Sequence, residues 1–381
     1  MSEVIVTPVK SWRDRRQFLK LPWTIYKGDP HWVPPLLGNQ KELLGWKSNP
    51  FYEHADAQTF LARRDGQPVG RISAIINHAH NKYYKEKRGF FGFFESIDDQ
   101  QVASALFDTA QAWFAERGVE QIRGPASPSL MHECGLLIDG FDSSPVFMMS
   151  YNPPYYQKLI EGWGFAKTHD LLAYIGTLDQ LPGVNDKLTP IMESARERLG
   201  ATIHPLDTSN FRQQLEMFLS LWNDSLFAMW GFVPVSPGEV RHSAKLLRHL
   251  LIPELALSAQ VEGKTVGCVM ALPDYNVIIK HLNGRLFPFG LFRLLNHKRH
   301  TRMIRLVTIN VLPEYQRWGL GLVLLNALIP KGLELKISKC EFSWVAESND
   351  LSRKGLEKGG AKLYKTYRMY DYPPPPPTAE S

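Results

Sequence analysis

Apolar positions along this chain alternate between two periods. "FLARRDGQPVGRISAII" (60–76) sets β-rich apolar runs on either side of Asp65-Gly66, which predicts strand, tight turn, strand. "ALSAQVEGKTVGCVMAL" (256–272) has the same plan around Glu262-Gly263. Downstream of each hairpin, a compact β-rich run ("FGFFESI", "MIRLVTINVL") precedes an apolar stretch that reads as a helix ("VASALFDTAQAWFAERG", "LVLLNALIPKGLELK").

The chain therefore repeats itself at half length. Gly66 and Gly263 lie 197 residues apart, Val33-Pro34 and Val233-Pro234 lie 200 apart, and "EGWGFAKTHDLLAY" (161–174) precedes "EKGGAKLYKTYRMY" (357–370) by 196. Each half opens on Trp-bearing helical material ("QFLKLPWTIY", "LEMFLSLWNDSLF") and closes on a strand ("EQIRGP", "CEFSWVA"), a short helix and a last strand. This order predicts an α/β (α+β) fold of two tandem lobes, each a mixed, mostly antiparallel sheet flanked by helices. Turn formers in "TLDQLPGVND" (177–186) set the boundary, giving lobes at 1–178 and 187–372. "YPPPPPTAES" predicts a polyproline stub and a disordered tail over 373–381.

Composition narrows the classes. The chain has 381 residues, enough for two ordinary domains, and its 44% hydrophobic and 22% charged residues suit a globular protein. A net charge of +6 is too mild to indicate nucleic acid. Cys134, Cys268 and Cys340 have neither metal spacing nor a disulfide framework, so no metal is expected, and reduced thiols fit a cytoplasmic setting. No stretch has the apolar core of a signal peptide or the roughly 20 apolar residues of a membrane span.

The stretch between "MIRLVTINVL" and "LVLLNALI" reads "PEYQRWGLG" (313–321). Gly319 and Gly321 fall at the start of the helix, where amides have no intrahelical partner and the dipole is positive. A glycine there lets an anion approach the backbone, and Arg317 adds a mobile charge. Glycines that merely ease helix–strand packing are the competing reading. The stretch is not a Walker loop, and Leu324 stands where a dinucleotide fingerprint needs glycine.

"VLPEYQRWGLG" resembles the pyrophosphate loop of the GNAT N-acyltransferase superfamily, Gln/Arg-x-x-Gly-x-Gly/Ala, through Gln316, Gly319 and Gly321. "FSWVAESN" and "LSRKGLEKGGAKLY" resemble the motif that follows it. The resemblance implies that Val311, Gln316, Arg317, Trp318, Gly319, Leu320, Gly321 and Leu322, with Asn349, hold coenzyme A, and that two central strands splay around its pantetheine arm. It covers roughly 250–370 well. Over 20–176 the copy is degenerate: the matching turn reads "IDDQQ", where Asp98 and Asp99 would cap the helix and repel a pyrophosphate. The pairing of lobes is similar to that of Fem ligases and myristoyl transferases, with one lobe binding coenzyme.

Acyl transfer from acyl-coenzyme A to an amine needs a neutral nucleophile, an oxyanion donor and a proton for the thiolate. The resemblance implies a strand amide near Asn310-Val311 as the oxyanion donor. The tyrosine acid common in the family is replaced by Leu356. Tyr364 or Tyr367 could substitute, Glu347 could act as base through water, and Asn349 completes the catalytic candidates. The long, weakly periodic stretch 124–156 supplies acceptor-binding candidates His132, Glu133, Asn152 and Tyr155; a loop that ties the lobes together is the equal alternative.

Between the second hairpin and "MIRLVTINVL" lies an insertion, "NGRLFPFGLFRLLNHKRHTR" (283–302). From 281 to 305 the chain holds Arg285, Arg293, Lys298, Arg299, Arg302 and Arg305 with no acidic residue, beside Phe289 and Phe292. Such a mix fits peripheral membrane contact through 285–302, a lid over an acyl chain, or a buried amphipathic helix. With "WVPPL", "GPASPS" and "YNPPYY", the chain resembles the two-lobe bacterial ceramide synthases, implying a long-chain or sphingoid-type amine acceptor in a cytoplasmic enzyme, peripheral on the inner membrane face. An acetyltransferase acting on a small amine or protein, and a non-catalytic acyl-coenzyme A-binding protein, are the alternatives.

Overall fold

The computed structural model describes residues 2–177, 190, 192–194, 196–207, 209–225, 229–297 and 300–374. The boundary expected at 177–186 therefore lies outside the described residues, apart from Thr177, as does the tail from 375 onward. Two compact units emerge: Met1–Leu171 with Ile279–Leu286 and Lys365–Ser381, and Leu172–Ile278 with Phe287–Tyr364. The first unit takes in a segment from the end of the chain as well as its beginning. The last strand explains why, because it pairs with the sheet of the first unit.

In the first unit, β1 (Val4–Pro8), β2 (Ala55–Arg64), β3 (Gln67–Asn77), β4 (Arg88–Ser96) and β5 (Gln121–Gly124) follow in sheet order, and β15 (Lys362–Tyr372) pairs antiparallel with β5 through Tyr370↔Gly124 and Tyr372↔Ile122. Arg123 clamps Asp371 with two bonds of 2.7 Å. Asp65 and Gly66 both have positive φ, 51° and 74°, the paired left-handed conformation of a two-residue hairpin turn. Helix Gln100–Ala115 buries Val102, Leu106, Phe107 and Phe114 against Phe60, Ile72, Phe91 and Phe165.

Stretch 124–156 is more ordered than its lack of period predicts. It forms β6 (Ala126–Ser127), β7 (Glu133–Cys134) and β8 (Leu136–Asp139); the first two pair together, and β8 adds to β15. These strands are two to four residues long, too short to show a period.

The second unit repeats the plan. Its sheet orders β14 (Lys339–Ala346), β13 (Met303–Val311), β12 (Lys264–Pro273), β11 (Ala256–Val261) and β10 (Thr202–Pro205). Glu262 and Gly263 make the same positive-φ turn, at 50° and 77°. Helix Phe211–Ser225 buries Phe211, Leu215, Phe218 and Leu221, one stripe at helical spacing. Helix Leu320–Glu334 buries Leu320, Val323, Leu324 and Leu328. It approaches β12 at Gly267, where a Cβ would stand 3.2 Å from the Leu324 Cδ1 atom.

Candidate active site

The site grows from one irregularity in β13. This strand pairs antiparallel with β12, and the register shifts between Met270↔Thr308 and Ala271↔Leu306, so Val307 is an extra residue. Such a bulge bends a strand. On its other edge β13 pairs parallel with β14 from Met303↔Lys339 to Leu306↔Phe342 and no further, although the strands continue to Val311 and Ala346. The two strands therefore splay where the bulge begins. The open stretch of β13, residues 307–311, is about 16 Å long.

Backbone alternation orients this edge. The Leu312 N–H donates to the Val266 carbonyl at 2.9 Å. Antiparallel ladders alternate, so Asn310 also turns its N–H toward β12, while Ile309 and Val311 turn theirs into the gap. The sequence expectation of a donor near Asn310-Val311 is thus refined to Ile309 and Val311. Asn310 is buried, and its side chain accepts from the Thr308 Oγ1 atom at 2.9 Å and reaches the Cys268 Sγ atom at 3.8 Å. Burial pushes the Cys268 thiol up to about 12, so it stands protonated.

The gap opens toward the glycine turn. Gly319 has φ +75° and is the N-cap of helix Leu320–Glu334, and no side chain caps that end. A Cβ on Gly319 would meet nothing within 4 Å, and one on Gly321 would only touch Ile309 and Val311 at 3.8 and 3.9 Å. Neither glycine eases a tight helix–strand approach, although the left-handed turn at Gly319 itself favours glycine. Gln316 Nε2 donates to the Val311 carbonyl at 2.9 Å and so ties the turn to the strand end. Leu320 is buried, while Arg317, Trp318 and Leu322 are exposed and Arg198 lies over the Trp318 ring.

At the other end of the gap is a buried polar cluster that sequence reading missed. Arg305 and Glu341 are register partners on β13 and β14, both buried. Ser343 Oγ donates to Glu341 Oε1 at 2.5 Å, and Arg305 donates to Ser343 Oγ and to its carbonyl at 2.9 and 3.2 Å. The Tyr364 hydroxyl donates to Glu341 Oε2. Arg305, counted by sequence among the surface cations, is 4% exposed and belongs to this cluster. Glu347 and Asn349 lie past the far end of β14, about 20 Å along the strand from Glu341. The Asn349 side chain caps helix Asp350–Lys358 by accepting from the Ser352 N–H at 3.1 Å, and the Glu347 carbonyl accepts from Arg353 at 2.8 Å. The structure thus joins Tyr364 to Glu341. Leu356 packs beside Leu172, Tyr174 and Ala361.

The first unit has a matching bulge and a closed slot. β4 pairs parallel with β5 from Arg88↔Gln121 to Phe90↔Arg123, and the β3–β4 register shifts just beyond. Here Ala126-Ser127 fills the space: a Cβ on Gly92 would come within 1.9 Å of the Ala126 carbonyl oxygen, and the Ser127 hydroxyl accepts from the Phe93 N–H. Asp99, rather than Asp98, caps helix Gln100–Ala115 by accepting from the Gln101 N–H at 2.8 Å. Its hydrogen bond with Arg64 holds its carboxyl below the usual range. The acceptor candidates also lie in this unit. Asn152 is buried, and its amide brackets the Leu137 N–H and carbonyl at 2.7 and 3.1 Å. The Tyr155 hydroxyl donates to the Ser96 carbonyl, His132 Nδ1 meets the Ser129 hydroxyl at 2.8 Å, and Glu133 lies in β7. Phe289 and Phe292 belong to the second unit and are exposed.

Residues 215–360 match the model of the acetyltransferase (GNAT) family, a span that includes the splay and the glycine turn. Protein YghO of Escherichia coli K12 is 35% identical over 364 residues, 94% of this chain and 92% of that protein. The chain belongs to the GNAT family. A protein of Caulobacter vibrioides named bacterial ceramide synthase is 32% identical over 383 residues, 97% of each chain. Among solved structures, a tandem GNAT protein from the clavulanic acid biosynthesis pathway superposes with a TM-score of 0.57 at 12% identity, covering 97% of this chain and 98% of that one. The fold is accordingly a tandem GNAT fold, and the chain is a GNAT-type N-acyltransferase.

Proposed function

We propose that the second unit binds acyl-coenzyme A and transfers its acyl group to a long-chain, sphingoid-type amine. The observation that carries this reading is the uncapped helix start at Gly319–Gly321 beside the splayed edge of β13. The diphosphate would lie on the Leu320 and Gly321 amides, which offer N–H groups at the positive end of the helix. The arm would run along 311–307 toward the bulge, beside Asn349 at the mouth. The Ile309 or Val311 N–H would then meet the oxygen of the thioester carbonyl as charge develops on it. The amine nitrogen attacks that carbon, the C–S bond breaks, the amine gives up one proton and the thiolate takes one. Tyr364, held by Glu341 at the base of the splay, is assigned as the donor of the proton to sulfur, and the proton released by the amine restores it.

Acceptor identity rests on the ceramide synthase relative, and the reading makes this a cytoplasmic enzyme. The purified chain should form N-acylated sphingoid bases from long-chain acyl-coenzyme A, read by mass spectrometry. Turnover of small amines or proteins alone would assign it to acetyl transfer. Binding without turnover on any amine would make it a coenzyme-binding scaffold, the reading that Leu356 at the tyrosine position favours.

A further inference from the structure

Residues 287–293 of the second unit present an apolar surface that neither the fold nor the coenzyme site uses. Phe287, Phe289 and Phe292 are 73%, 70% and 73% exposed. For Phe292 the local chain explains this: helix Gly290–His297 turns Gly290 and Leu294 inward, which leaves Phe292 and Arg293 exposed on other faces. Three bare aromatic rings in six residues form the kind of patch that soluble surfaces avoid unless something covers it.

Charge decides what covers it. From Tyr275 to Pro313 there is no Asp or Glu. Of the cations in that span, Arg305 is buried against Ser343 and Glu341, Arg302 donates to the Lys336 carbonyl, and Lys280 donates to the Pro30 carbonyl. Arg285, Arg293, Lys298 and Arg299 remain to flank the rings in sequence, and Arg293 is exposed. A second copy of the chain is disfavoured, since it would bring the same cations together. The three rings also offer on the order of 500 Å², short of the roughly 800 Å² per partner of a stable dimer.

We propose that Phe287, Phe289 and Phe292 insert into the interface of an anionic lipid bilayer, with Arg293 over the headgroups and the basic composition of the surrounding sequence adding attraction. Aromatic rings at the acyl boundary with cations in the headgroup layer are what such an interface stabilises. Each cation adds attraction to anionic lipid that salt screens. The inference is independent of the acyl-transfer reading and its test uses no substrate, so either can fail alone.

The test is co-sedimentation of the full chain with vesicles of phosphatidylcholine, with and without phosphatidylglycerol, at low and high salt. The wild type should pellet with the anionic vesicles and be released by salt. F287S/F289S/F292S should bind roughly tenfold or more weakly. R293Q/K298Q/R299Q should lose the preference for phosphatidylglycerol. Phe287, Phe289, Phe292 and Arg293 are exposed, and both variants should keep the wild-type thermal midpoint. Equal pelleting with both vesicle types, or a triple serine variant that pellets like wild type, overturns the proposal. So does a wild type that ignores vesicles while the serine variant loses affinity for long-chain acyl-coenzyme A, since the rings would then cover the acyl chain. A vesicle-free dimer dissolved by the same substitutions overturns it as well.

Discussion

Gly321→Glu separates what the glycine turn does for the fold from what it does for a ligand. Gly321 is the second residue of its helix, and a Cβ there meets Ile309 and Val311 only at ordinary contact distance. The fold should therefore accept a side chain. Replacing glycine within a helix gains up to about 1 kcal/mol, and an acid in the first turn adds about 0.3–1 kcal/mol. The melting temperature should hold or rise by about 2–4 °C. Coenzyme A should fare differently. A carboxylate about 5 Å from a phosphate charge, at an effective dielectric near 20, repels it by roughly 3 kcal/mol, or roughly a hundredfold in Kd. Gly321→Ala isolates the steric part, since it adds the Cβ without charge. Calorimetric titration of coenzyme A and a thermal melt of each variant decide the matter. Wild-type affinity in Gly321→Glu would refute the site, and a melt several degrees lower would refute the open space on which the argument stands.

Tyr364→Phe should lower kcat by roughly 10²–10⁴ if the phenol delivers the proton, while the affinity for coenzyme A stays as it was; unchanged turnover removes Tyr364 from the mechanism. Asp14 tests the electrostatics of the first unit. Hydrogen bonds from the Ser11 side chain and backbone, aided by Arg63, hold its carboxyl at about 2. A depressed carboxyl contributes stability that is complete above its unfolded value near 4 and is lost as pH falls toward 2. Asp14→Asn should thus be less stable than wild type at pH 6, with the gap closing by pH 2; a gap that is flat across acid melts contradicts the assignment. Burial pushes the Cys268 and Cys340 thiols up to about 12, so both should resist a thiol reagent at pH 8 until the chain is unfolded. Rapid labelling of either in the native protein would contradict their burial.

Much of the fold was legible because it is local. Asp65-Gly66 and Glu262-Gly263 carry the turn chemistry of a two-residue hairpin in two adjacent residues, and both turns form. The helix after "PEYQRWGLG" begins where its glycines place it. What escaped was register. Val307 looks like any other residue of "RLVTINV", and only its pairing with β12 makes it the bulge that splays the strands. Arg305 was grouped with the surface cations beside it in sequence because its partners, Glu341 and Ser343, sit on a parallel strand 36 and 38 residues away. Long-range pairing is equally invisible to local pattern: Asp371 meets Arg123 across 248 residues of chain. Asn152 has the chemistry of a ligand-binding amide, but nothing local reveals that the Leu137 backbone already occupies it.

The two halves put opposite demands on glycines at their splayed strands. At position 92 even a methyl group would collide with the Ala126 backbone, so any replacement there should be lost at the level of soluble protein. At position 321 the protein itself has room, so a constraint there would have to come from the proposed ligand. A deep mutational scan read out twice, once for abundance and once for turnover, should thus find Gly92 intolerant in the first readout and Gly321 intolerant in the second alone, as the proposed coenzyme site requires.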